Sequence, residues 1–150
     1  MEHPKTVGDR SAFAVIGALQ RLGYGIYMPF GENTRCDLIV EADGRLVRVQ
    51  CKTGRLRRGA IEFNLCSTYG HHRNPQTYAR TYHGQVDYFA VYCIDTAGVY
   101  LVPIGELPGK RRASLRIDPP RNQQRHGIRF AARYEIARVA IEGLRAPSGA

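Results

Sequence analysis

A chain of 150 residues, 43% of them hydrophobic, carries apolar material for one domain with a single sizeable core, and none of its apolar runs is long enough to cross a bilayer. The formal charge of +9 excludes an acidic or neutral surface and points to a polyanionic partner, nucleic acid first, because each Lys or Arg placed on a phosphate releases a condensed counterion. Nearly all of that charge is arginine, whose planar fork suits phosphates and guanine edges; the only lysines are Lys5, Lys52 and Lys110.

The N-terminal stretch MEHPKTVGDRSAF has no charged-then-apolar signal pattern, so a cytoplasmic location is expected. From Ser11 to Leu22, Ala12, Phe13, Val15, Ile16, Leu19 and Leu22 recur at helical spacing, with Asp9 or Ser11 as cap and Gly23 closing the end. GYGIYMPFG reads as a short strand stopped by Pro29 and Gly31. Two further strands flank Asp43-Gly44, a dipeptide that favours the type I′ hairpin turn. AIEFNLCST, VDYFAVYCID and GVYLVPI continue as strands, the last two a hairpin around Thr96 to Gly98. Between the first two of these runs lies a long polar, aromatic and basic loop, TYGHHRNPQTYARTYHGQ, of a length that is usually functional. After Pro108 the chain reads as basic and irregular through GKRRASLRIDPPRNQQRHGIRF, and a second helix is expected over Ala131 to Leu144. Neither a repeat nor a linker divides the chain. The four cysteines, Cys36, Cys51, Cys66 and Cys93, lack paired zinc spacing and read as buried free thiols; Cys66, His71 and His72 form the one cluster near ligand spacing.

The segment TRCDLIVEADGRLVRVQCKTGRL, Thr34 to Leu56, carries polar groups that a plain strand does not need. With a two-residue loop at Asp43-Gly44, Ala42 faces Arg45, Glu41 faces Leu46 and Asp37 faces Gln50. Alternation then puts Lys52 on the same face as Gln50, so Asp37, Gln50 and Lys52 converge, while Leu38, Val40, Val47, Val49 and Cys51 turn to the core. A three-residue loop would pair Asp37 with Cys51 instead. An acid, an amide oxygen and an ammonium in one place suit metal-assisted phosphodiester hydrolysis: the two oxygens are hard ligands for magnesium, and the ammonium positions a water and offsets charge growing on phosphorus. The competing reading is a solvent-exposed sheet edge with incidental polar residues.

CDLIV followed by VQCKTG resembles the paired core motif of PD-(D/E)XK nucleases, in the branch where the second acid is Gln and the motif reads D…Q-x-K. The segment GDRSAFAVIGALQRLGYGIYMPFGENTRCDLIV, then CSTYGHHR, HGQVDYFAVYC, VYLVPI and RNQQ, extends the resemblance to the group I intron-associated homing endonucleases of that superfamily. The resemblance implies an α/β fold with a central mixed β-sheet flanked by helices, a restriction-endonuclease-like core. It implies a single nuclease domain over residues 1–145 with a basic C-terminal DNA-contact segment, and a disordered tail at 146–150. It further implies magnesium-dependent cleavage of double-stranded DNA by a homo-oligomer, a dimer or tetramer, since two strands need two active sites. In that alignment Asp37 is the central metal ligand, Gln50 the second and Lys52 the water-positioning group. The family's first helix usually adds a Glu, and Ala12 stands in its place. Either Asp9, one turn earlier, substitutes as a catalytic acid, or metal binding is weakened, or the protein only binds DNA. Structure-selective cutting, as in repair or junction resolution, would share the same core.

The DNA-contact candidates lie around this core. Arg55, Arg57 and Arg58 follow Lys52 and are expected beside the scissile backbone. Tyr69, His71, His72 and Arg73 on the long loop are candidates for phosphate or groove contact, and Asn122, Gln123, Gln124 and Arg125 carry the amide and guanidinium forks that read adenine and guanine edges.

Overall fold

The computed structural model describes residues 2–31, 34, 36–66, 84–107, 111–119, 122 and 127–142. Its first helix, α1 (Pro4–Arg21), begins about two turns before the apolar periodicity does. The His3 ring nitrogen accepts from the Lys5 N–H and caps it, and Pro4, which has no N–H to lose, starts the first turn. The expected caps at Asp9 or Ser11 therefore lie inside the helix. Gly23, at φ +86°, closes the far end as expected. Val15, Ala18 and Leu19 are the buried apolar positions of α1, joined by Ser11.

Seven strands follow: β1 (Gly25–Tyr27), β2 (Leu38–Ala42), β3 (Arg45–Arg57), β4 (Ala60–Asn64), β5 (Tyr88–Cys93), β6 (Gly98–Pro103) and β7 (Arg112–Arg116). The Asp43-Gly44 turn is present with both residues at positive φ, 51° and 75°, and fixes Ala42 opposite Arg45 and Leu38 opposite Val49. Arg58-Gly59, at φ 50° and 76°, makes a second two-residue turn of the same kind, joining β3 to β4 with Arg57 opposite Ala60.

Strand β3 organises the sheet because it is long enough for three partners. Its first half lies between antiparallel β2 and parallel β5, Val49 to Gly54 pairing with Tyr88 to Cys93; its outer end pairs antiparallel with β4, which pairs with β7. The sheet is thus mixed. The changeover falls at Gly54, where a Cβ would stand 2.6 Å from Ile61 Cγ2 and 2.8 Å from Val91 Cγ1, so only a residue without a side chain fits between the two arms. The core runs through both: Leu38, Val40, Val49, Ile61, Phe89, Val91, Leu101 and Leu115 are essentially inaccessible to solvent.

Two expectations are corrected. The segment after Pro108 is not irregular throughout: Arg112–Arg116 is a strand that buries Ala113 and Leu115. The second helix does not run from Ala131: a 3-10 turn over Ala131–Tyr134 precedes α2 (Ile136–Glu142), with Glu135 bridging to Tyr100 on β6. The tail expected at 146–150 lies outside the described residues. Among the described residues no helix is long and apolar enough to cross a membrane.

Candidate active site

The hairpin register holds to its last rung, Leu38 with Val49, and changes one residue beyond it. The Asp37 N–H donates to the Val49 carbonyl at 2.9 Å, and its carboxylate Oδ2 accepts the Cys51 N–H at 2.9 Å. Asp37 therefore brackets Gln50 rather than continuing the ladder opposite it. Its side chain takes the hydrogen bond of a β3 amide as β2 ends, which holds the carboxylate on the β3 backbone between Gln50 and Lys52.

Lys52 completes the group from the interior. Its Nζ donates to the Cys66 carbonyl at 3.1 Å and stands 5.4 Å from the centre of the Phe89 ring. Burial pulls its pKa down to about 8, against the opposing influence of the Asp37 carboxylate, so the group remains mostly ammonium at neutral pH. Burial also raises the Asp37 carboxyl, while the Cys51 N–H and the Lys52 ammonium pull it the other way. The Cys51 thiol is pushed well up, by burial first and by Asp37 second, and stays protonated beside the site. Gln50 is half-buried and shares the Lys52 face of β3 by strand alternation.

A half-buried carboxylate whose pKa is raised by burial lacks full compensation for its charge, and it has oxygen capacity beyond one accepted hydrogen bond. The Asp37 carboxylate oxygens, beside Gln50 on β3, are hard donors of the kind that hold a divalent cation. Of the Cys66, His71 and His72 cluster, only Cys66 falls within the described residues.

The first helix brings a hydroxyl, not an acid, to β3. Ser11, buried, hydrogen-bonds Thr53 through its Oγ at 2.6 Å. Thr53 follows Lys52 and by alternation points to the opposite face of the strand. Ala12 is half-buried and Asp9 is exposed, two residues and about 200° around α1 from Ser11. The Ser11–Thr53 pair escaped the sequence reading because neither residue type signals a role; the family register pointed one position on, at Ala12. The clasp between β3 and the start of β5 was equally silent. In it the Arg48 N–H and guanidinium both donate to Asp87, at 2.8 and 3.3 Å.

Arg55, Arg57 and Arg58 are exposed, the first two on β3 and the third in its turn, and Asn122 is exposed in a turn. Tyr69, His71, His72, Arg73, Gln123, Gln124 and Arg125 lie outside the described residues.

A carboxylate, an amide and an ammonium gathered where one strand ends against a long central one, on a mixed sheet with a helix against it, is an arrangement of a nuclease core. A PD-(D/E)XK endonuclease model matches residues 2–137, and the chain belongs to that family. Its fold is similar to that of a bacterial homing endonuclease, I-Ssp6803I, at a TM-score of 0.68 and 22% identity, covering 94% of this chain and 92% of the other. A more distant likeness, at a TM-score of 0.45 and 10% identity over 73% and 83% of the two chains, is to Hjc, a Holliday junction resolvase of Archaeoglobus fulgidus. No curated protein matches the chain.

Proposed function

We propose that the protein is a magnesium-dependent endonuclease that hydrolyses phosphodiester bonds in double-stranded DNA at specific sites, of homing type, working as a homo-oligomer so that each strand meets its own active site. The observation that carries this reading is the Asp37 carboxylate bonded across to the Cys51 amide within electrostatic reach of a half-buried Lys52. Asp37 and Gln50 would hold the metal, and magnesium there would supply Lewis-acid chemistry to the scissile phosphate and a water of lowered pKa. Lys52 orients that water and offsets the negative charge that develops on the phosphate oxygens; its half-buried setting strengthens the effect over what an exposed ammonium would give. Arg55, Arg57 and Arg58 neutralise the backbone beside the cut. The homing assignment draws support from the ordered motif set in the sequence and from a fold match that spans nearly the whole chain.

A second reading has its own observation. Ala12 stands where the family's first helix carries an acid, and Asp9 is exposed, which favours a DNA-binding protein on a nuclease fold whose chemistry has been lost. Incubating the full-length protein with a supercoiled plasmid library carrying random inserts, in magnesium and in EDTA, separates the two. The nuclease reading expects linear product from a subset of inserts in magnesium and none in EDTA. Tight duplex binding with no cleavage in either buffer would replace it with the binding protein.

A further inference from the structure

The outer end of β3 with β4 and β7 forms a three-stranded antiparallel arm whose two faces differ in kind. One buries Ile61, Phe63, Ala113 and Leu115. The other is polar: Arg55 stands opposite Glu62 and Glu62 opposite Ser114, with Asn64 opposite Arg112 and Ala60 opposite Arg116. Thr53, Arg55, Arg57, Glu62, Asn64 and Arg112 line a single shallow cleft on this face. Arg55, Arg57, Asn64 and Arg112 are exposed. Arg116 is committed to the fold, donating to the carbonyls of Asp118 and Arg58.

The cleft therefore presents three exposed guanidinium forks and an amide around one carboxylate, on a rigid sheet whose underside is core. Its charge is complementary to a polyanion, and three strands about 4.8 Å apart span about 10 Å, within a major groove about 12 Å wide. Glu62 decides between two kinds of DNA contact. A face that only neutralises phosphates gains nothing from a carboxylate at its centre. A face that reads bases does, because Glu accepts from cytosine N4, as Arg forks address guanine O6 and N7 and Asn addresses adenine N6 and N7.

We propose that this face of β3, β4 and β7 is the sequence-reading surface of the protein, lying in the major groove of its target duplex with Asn64, Glu62 and Arg112 on base edges and Arg55 and Arg57 on phosphate. The assignment rests on the nuclease reading and adds to it the residues that choose the site. The link to the cut runs through β3: Arg55 and Arg57 lie on the strand that carries Lys52, on the opposite face by alternation, and β4 and β7, which hold Glu62, Asn64 and Arg112, pair outward from its end.

The test is selection from a randomised duplex library by the full-length protein in EDTA, where DNA is bound and not cut, followed by sequencing. Parent, Asn64→Ala, Glu62→Gln and Arg112→Ala are compared, with equal thermal midpoints required of all four. The parent is expected to enrich a motif, and each variant to lose preference at one or two base positions. Affinity for the parent motif should fall by roughly 10- to 100-fold, with affinity for random duplex changing far less. An unchanged motif in all three variants overturns the proposal and leaves the nuclease reading intact, as does a parent that cuts DNA but enriches no motif. Equal losses on motif and random DNA also overturn it, reducing the face to a phosphate contact. A parent that binds no duplex at all removes both readings.

Discussion

Lys52 carries a cost that a purely structural residue would not. Its ammonium is taken largely out of water, beside the Cys66 carbonyl, the Phe89 ring and the influence of the Asp37 carboxylate, and the net effect is a pKa lowered from 10.5 to about 8. A lysine whose pKa is lower folded than unfolded destabilises the fold wherever both states are protonated. The penalty is full below about pH 8 and fades as pH rises toward 10.5, because over that window the unfolded chain holds more protons. In metal-free protein, Lys52→Met should therefore be more stable than the parent at pH 7, by about 2 kcal/mol after allowing for the lost bond to the Cys66 carbonyl. The gap should close as the pH is raised from 8 to 10. Urea unfolding in EDTA across that range checks it, and a pH-independent gap would mean that the ammonium is not desolvated. Retaining such a group against stability is what a catalytic position does. The sequence hinted at it through the rarity of lysine in an arginine-rich chain, but the burial that makes it costly comes from Cys66 and Phe89, distant in sequence.

At the scale of elements, the hairpin at Asp43-Gly44 was legible because the dipeptide dictates the turn and the turn dictates the register. Counting from that turn placed Asp37 opposite Gln50, on the face of Lys52. What counting missed is that β2 ends one residue short of Asp37, so the carboxylate satisfies the Cys51 N–H instead of pairing across. Strand β7 was illegible for a different reason: RASLR sets only Ala113 and Leu115 toward the core, too weak a period-2 signal within a basic run. The true start of α1 was hidden because its first two turns are mostly exposed and polar. The 13-residue length of β3 depends on Gly54, whose lack of a side chain lets the strand pass between two arms. Gly54→Ala should therefore destabilise by about 1–3 kcal/mol, since Ile61 and Val91 would have to yield to a Cβ at less than van der Waals distance. Thermal unfolding measures it, and a loss below about 0.5 kcal/mol would show that the arms are not packed this closely at the changeover.

For the molecule as a whole, one continuous strand joins the proposed catalytic group to the proposed reading face. Its first half, between β2 and β5, carries the polar group at the end of β2; its outer end, with β4 and β7, presents the arginine-rich face. Family membership makes DNA the substrate class, and the net charge of +9 gives the association its long-range attraction. The central claim is that Asp37 and Lys52 perform the cleavage. The direct measurement is magnesium-dependent cleavage of a selected target by the parent, Asp37→Ala and Lys52→Ala, with duplex affinity measured alongside on the same target. The account predicts that each substitution lowers the cleavage rate by about 100-fold or more while affinity changes less than about threefold, because both groups act chiefly on charge that exists only in the transition state. Cleavage at the parental rate in either variant, with the fold intact, would contradict it.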